Sequence, residues 1–378
     1  MRPTTFALFF TLLICTQVFG AADENAAVKY LRASVALRQA YALEPDAAPA
    51  LEKALQSPLD QSDEKLIAAA TEALTEFQHA SALGTCNWEL SVSDGPNAST
   101  SHRGAIRELV AVAGIRARLR FRDGHAKEGL QDWLAADAAA RQLSTDGTIT
   151  SVLISYKLER EISDVLEPEL GRFSRSELDF LADGARRLPL GLTMQSAIVR
   201  EKLDRNDLAD VVAAASSRED AIKGLTAGAP ILRANEKKAE EIIDSCGGSV
   251  ESLRACIRKQ SEFYEKWSSR WSDPPAKFEA DYNNAFFTAS LNNPIVAEFT
   301  PPLPRLRWAE AYSQTRWMLL RAAIVVERDG ATALGAFPDP STGAEFTYSR
   351  QEGGFRLESQ VKDHGTLLSI TVQDAAAK

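Results

Sequence analysis

Residues 102–144 read HRGAIRELVAVAGIRARLRFRDGHAKEGLQDWLAADAAARQLS. Apolar residues recur every three to four positions on both sides of Arg122-Asp123-Gly124. That spacing predicts two helices, from Ala105 to Phe121 and from Ala126 to Leu143, joined by a tight turn. Leu130, Trp133, Leu134 and Ala138 fall on one face of the second helix. Ala113, Gly114 and Ala117 are small enough for the pair to approach closely.

The same period runs outward in both directions. Upstream, residues 24–43 place Val28, Leu31 and Val35 at helical spacing before Pro45. Residues 62–83 open on Ser62 as an N-cap, with Asp63 and Glu64 in the first turn. Downstream, the segments 148–170, 174–188 and 193–215 continue the pattern. Around Gly224, Gly228 and Pro230 it weakens, which marks a candidate hinge. The expected fold is mostly α, a multi-helix bundle or irregular helical array with a small C-terminal antiparallel β-sheet. Four parts are expected: 1–20 a signal peptide, 21–215 an N-terminal helical region, 216–330 an aromatic-rich helical region, and 331–378 the β unit.

Composition bounds the function. The chain has 378 residues and a formal net charge of −9. Without a basic block, nucleic acid is not an expected partner. Residues 1–20 combine Arg2, an apolar run from Phe6 to Phe19 and the small residues Val18 and Gly20. This order is that of a cleaved secretory leader, with an alternative cut after Ala22. The run is short for a membrane span, and no other is long enough. A secreted or periplasmic protein is expected, whose partner would be another envelope protein. The sequon Asn97-Ala98-Ser99 matters only in a eukaryotic secretory route. Cys246 and Cys256 bracket a Gly-Gly turn, with a helix restarting near Ser249, and export favours a disulfide between them. Cys86 is left over.

Aromatic residues crowd between Phe263 and Trp317. One reading is a groove for an apolar ligand or sugar, with Trp267, Trp271, Tyr282 and Trp308 as the candidate binding residues. The other is helix packing, which the four-residue spacing of Trp267 and Trp271 favours. The final helix, residues 304–330, carries two apolar stripes and so is expected between other elements.

The stretch 338–343, PDPSTG, permits only a turn. Phe346 and Tyr348 then alternate with polar residues, as do Phe355 and Leu357 across the Glu352-Gly353-Gly354 connection, and residues 367–372 supply a third strand. One apolar face of this sheet must lie on the final helix.

Two resemblances follow. Residues 102–143 resemble a tetratricopeptide hairpin; with no second copy at a fixed period, the unit is read as one hairpin in a bundle. Residues 303–363 are similar to the C-terminal end of uncharacterised exported bacterial helical proteins and to the C-terminal β part of type II secretion pseudopilins. This likeness rests on Pro338, Asp339, Pro340, Thr342, Gly343, Tyr348, Gly353, Gly354, Phe355, Leu357 and Ser359. It implies calcium in the loop after Ser359. In this chain Val361 stands where glycine is usual, and His364 and Thr366 bring no carboxylate, so no metal is expected.

No stretch carries a catalytic signature. His79, His102, His125 and His364 are scattered, with no HExxH pair and no nucleophile elbow. Ser62 to Lys65 matches S-x-x-K, which capping explains. The pairs Glu159/Glu161 and Asp204/Asp207 lie among Arg and Lys and read as solvated charged faces. No cofactor and no catalytic residue is expected. The expectation is a non-catalytic exported scaffold or binding protein; the alternative is an envelope hydrolase whose site is assembled from scattered acids.

Overall fold

A computed structural model describes residues 24–41, 47–88, 100–228, 235–363 and 365–374; the side chains of 201–209, 211, 227–228 and 363 are outside that description. The expected leader, the sequon at Asn97, Pro230 of the candidate hinge, His364 and the side chains of Asp204 and Asp207 all lie outside the described residues.

The fold is mostly helical, with a three-stranded antiparallel sheet near the C-terminus. The helices are α1 (Ala26–Tyr41), α2 (Ala48–Gln56), α3 (Gln61–Ala69), α4 (Thr71–Ser81), α5 (Ser101–Arg122), α6 (Ala126–Leu143), α7 (Ile149–Leu166) and α8 (Arg175–Arg187). They continue as α9 (Met194–Ala214), α10 (Arg218–Gly228), α11 (Glu236–Ser245), α12 (Val250–Ser268), α13 (Pro275–Asn292), α14 (Pro294–Phe299) and α15 (Leu303–Asp329). Among the described residues no helix is long and apolar enough to cross a membrane.

The α5–α6 hairpin is present, and α6 has the expected bounds. Gly114 serves a different contact from the one expected. A Cβ there would sit 2.7 Å from Leu55 Cδ1 and 2.9 Å from Ile162 Cδ1, so its smallness admits α2 and α7 rather than α6. The hairpin's close approach comes from Gly129, where a Cβ would lie 2.4 Å from the Phe121 ring. On α1 the stripe Val28, Leu31 and Val35 is exposed, while Ala26, Tyr30, Ala33 and Leu37 face the core. Alanines let α1 lie close to its neighbours, and Tyr30 fills the depth, donating to Gln142 Oε1 at 2.5 Å. The cap of α3 is Asp60, not Ser62. Its carboxylate accepts from Ser62 N and Asp63 N, and Asp63 reaches back to Asp60 N at 2.9 Å. The carboxylate two residues earlier accepts from two orphan amides at the start of the helix.

Three cores form. The main core joins α1–α8 to the second half of α15 and the sheet. An aromatic core holds Tyr264, Trp267, Trp271, Phe278 and Tyr282 against the starts of α7, α9 and α15. A smaller core joins α10, α11 and the start of α12. Both α7 and α15 run from the aromatic core to the main one: Val152 and Leu306 lie in the first, Leu158 and Leu319 in the second.

The sheet has strands β1 (Thr347–Gln351), β2 (Gly354–Asp363) and β3 (Thr366–Gln373), in that order. Gln351 pairs with Gly354 across a two-residue turn in which Gly353 has φ 72°. Phe355, Leu357 and Val361 are buried with Leu368, Ile370 and Val372 in the main core, so the sheet lies on α15 as expected. Tyr348 departs from the expected face. It stacks on Phe355 at 5.8 Å, but β1 is an exposed edge and Tyr348 keeps 37 % of its surface. Val361, in the place where the pseudopilin pattern has glycine, is a buried side chain of the sheet.

Asp339 fixes the Pro-rich turn to the sheet. It is buried, accepts from Ser341 N at 2.8 Å, and accepts from the Ser359 hydroxyl at 2.5 Å. Ser359 in turn accepts from Val361 N beside the irregular register of β2. Gly171, in the turn after α7, lets β3 dock: a Cβ there would lie 2.0 Å from Gln373 O.

Candidate functional site

The four aromatic candidates separate. Trp267, Trp271 and Tyr282 are buried in the aromatic core, where both tryptophans pack edge to face on Phe278, and Tyr282 stacks on Phe278 and meets Trp267 edge to face. They carry the packing reading. Trp308 is half-buried, stacks on Tyr312 at 5.5 Å and donates Nε1 to Glu279. Trp271 Nε1 donates to Glu310, which also accepts from Met194 N at 3.0 Å. This ties α15 to the start of α9.

The three histidines among the described residues do not come together. His79 and His125 are exposed. His102 is buried, with Nε2 2.9 Å from Asp146 Oδ2, and the Ser151 hydroxyl donates to the same oxygen. Both side chains converge on the carboxylate, which is not the relay of a nucleophile, a base and an orienting acid. Burial works against the charge of Asp146, but bonds from His102, Ser151 and Thr148 outweigh it and hold its carboxyl below the usual range. The group anchors the entry to α7, whose N-cap is Thr148.

A cleft forms between α7 and α15. Leu153, Tyr156, Lys157, Arg160 and Ser163 lie on one face of α7 at steps of three and four. Ala309, Tyr312, Ser313 and Arg316 face them from α15, with Trp317 beside them, and Leu368 of β3 closes one end. The cavity measures about 250 Å³. It occupies the interval between the two cores, where α7 carries Ser155, Tyr156 and Lys157, and α15 carries Tyr312, Ser313 and Arg316. Neither core fills this interval.

Glu159 forms the floor. Its side chain is 15 % exposed. Oε1 accepts from the Ser155 hydroxyl at 3.0 Å, and Oε2 lies 3.3 Å from Arg141 Nη2. Arg141 Nε donates to Asp137 Oδ2 at 3.0 Å, and the guanidinium lies 4.1 Å from the Trp317 ring centroid. Burial pushes the Glu159 carboxyl up to about 7; Arg141 pulls against this and Asp137 adds to it. At the cleft's edge Arg316 bridges Asp164 and Glu167. Burial raises the Glu167 carboxyl to about 7, against Arg316 and with Asp164.

The solvated-face reading of Glu159 and Glu161 is thereby overturned. Glu161 is 6 % exposed, and its ion pair with Lys157 at 3.2 Å is shared with Glu52. Lys157 is itself exposed, but it reaches the buried Glu161 and Glu52 as an ion-pair partner. A second hollow, about 680 Å³, opens between α4, α6 and α8; it is lined by Leu83, Leu134, Ala138 and Leu188 beside Gln78, Gln131 and Arg187. Among the described residues no group of three or more His, Cys, Asp or Glu is placed to hold a metal ion.

Cys246 caps α11 and Cys256 sits on α12. They are free thiols, not a bonded pair, near enough for Cys256 to act on the Cys246 thiol. Burial, then Cys256, pushes the Cys246 thiol up to about 12. Gly247 and Gly248 make the turn between them with φ 105° and 78°, and the helix restarts as expected, with Ser249 as the N-cap of α12. Cys86 is half-buried, and burial raises its thiol to about 12.

No protein-family model, no curated protein and no solved structure matches the chain.

Proposed function

We propose that this is an exported, non-catalytic helical protein that binds a small ligand in the cleft between α7 and α15. The observation that carries the reading is the lining of the cleft: one carboxylate, Glu159, and the bases Lys157, Arg160 and Arg316, set on a wall that includes Tyr312 and Trp317. A few polar groups on an apolar and aromatic wall is the pattern of a binding site. The volume suits a ligand smaller than a drug-sized molecule. Export is supported by the order of charge, apolar run and small residues over 1–20. In an oxidising compartment the adjacent Cys246 and Cys256 thiols close to a disulfide, losing two hydrogens to the compartment's oxidant. Thiol counting on denatured, unreduced exported protein should then find Cys86 alone; three free thiols would refute the pairing.

The cleft reading is tested by native mass spectrometry of protein purified from its own compartment, wild type against Ala309→Trp, which fills the cavity. A small-molecule adduct on the wild type that is lost in the variant supports it. An adduct retained by a folded Ala309→Trp protein places the ligand elsewhere and overturns it.

A further inference from the structure

The bases that line the cleft are each matched. Lys157 Nζ lies 2.5 Å from Glu52 Oε2 and 3.2 Å from Glu161 Oε1, and Arg107 also binds Glu52, so two bases face two acids. Arg316 bridges Asp164 and Glu167, and Arg160 acts on the same two carboxyls. The floor is different. There one guanidinium, Arg141, stands between two carboxylates, Asp137 and Glu159. Asp137 is 1 % exposed and its Oδ1 has no hydrogen-bond partner. The floor is one positive charge short, and of its three members Glu159 is the one on the cavity wall. Uncompensated buried charge is costly, so something must supply the balance.

The titratable and charged groups around Glu159 come from three helices: Asp137 and Arg141 from α6; Tyr156, Lys157 and Arg160 from α7; Tyr312 and Arg316 from α15. Counted as formal charges, with Lys157 and Arg107 set against Glu52 and Glu161 and Arg316 and Arg160 against Asp164 and Glu167, the residual charge is negative, and aromatic rings line part of the wall. Aromatic faces attract cations, and Trp317 already holds one in Arg141.

Resting on the binding reading of this cleft, we infer that its ligand is a small organic cation, an amine with an apolar or aromatic body. The ammonium group lies at Glu159, and the body lies between Leu153, Tyr312 and Leu368. Without ligand, a proton shared by the Asp137–Glu159 pair supplies the missing charge: burial raises both carboxyls, with Arg141 pulling against it. Binding exchanges that proton for the amine: the carboxylic acid and the ammonium ion give a carboxylate–ammonium pair and one proton released to solvent. No other bond forms or breaks.

Isothermal titration of the full chain with benzylamine, benzyl alcohol and benzoate tests this. The three probes share a body and differ in charge. Benzylamine should bind best, with proton release at pH 6 measured in two buffers of different ionisation enthalpy. Its affinity should rise roughly tenfold per pH unit below the Glu159 pKa and level off above it. Glu159→Gln should lose the preference for the amine and the proton release; the wild-type pH slope stands even if that variant folds poorly. Benzyl alcohol binding as well as benzylamine would overturn the cation while leaving the cleft as a binding site. A preference for benzoate would show that the rim bases decide instead. If no probe binds while the purified protein carries an adduct that Ala309→Trp removes, the amine class is wrong and the cleft reading survives. If no probe binds and there is no adduct, both fall.

Discussion

The aromatic core and the ionic part of the main core are both built from helices, and they solve burial in opposite ways. Around Trp267 the interior is filled by rings, with Phe278 and Tyr282 edge to face at 5.5 and 5.1 Å. Around α5, α6 and α7 the interior also holds charges. Asp132 is fully buried and accepts from Arg116, Arg120 and Gln78. Rings fill volume in many orientations, whereas ion pairs hold fixed geometry and leave gaps where the pairing is incomplete. The accessible cleft lies on the ionic side, at Glu159, and not among the aromatic residues that look like a ligand site in the sequence.

Removing bulk should cost most. Trp267→Ala in the aromatic core and Phe355→Ala in the sheet should each lose about 3–5 kcal/mol in denaturant unfolding, because both side chains are buried. An unchanged midpoint for Phe355→Ala would mean the sheet is a detached appendage. The ionic side should respond to imbalance rather than to volume. Asp132→Ala leaves Arg116 buried without its partner and should cost about 3–5 kcal/mol. The pair Arg116→Met with Asp132→Leu should recover most of that loss. Equal losses in single and double variants would show that shape, not charge, holds this region.

Glu159 offers a pH test of the same contrast. Its carboxyl stands at about 7 in the fold against an ordinary value of 4.5. As pH rises from about 4.5, the unfolded chain ionises first, so the native state loses stability until about pH 7 and is flat beyond. Glu159→Gln removes this loss. Whatever its offset at pH 5, the variant's melting temperature should rise relative to wild type by pH 8. A constant difference across that range would contradict the raised carboxyl. The smallest effect is expected at the sheet edge, where Tyr348→Ala should cost under about 1 kcal/mol because β1 is exposed. A loss comparable to that of Phe355→Ala would mean the edge is covered.

Helices and sheet were legible because period is a local property: α6, the helix restart near Ser249 and the alternation Phe355, Leu357 follow from neighbouring residues. Faces were less legible. Val28, Leu31 and Val35 have core-like chemistry, yet the alanine face with Tyr30 is the buried one, since α1 packs by closeness rather than by bulk. The cleft was written in the sequence as polar intervals within α7 and α15, Ser155 to Lys157 and Tyr312 to Arg316, between apolar stretches. That signal gains meaning only when the two intervals lie opposite each other, which a contact between residues some 150 positions apart decides. Glu159 looked solvated for the same reason, because Arg141 lies on another helix.

The most direct test of the cleft is hydrogen exchange followed by mass spectrometry, with and without saturating benzylamine. Protection should be confined to peptides covering 153–163 and 309–317, with 263–286 unchanged. Protection over 263–286 with none at the cleft would contradict the account and return the aromatic region as the binding site.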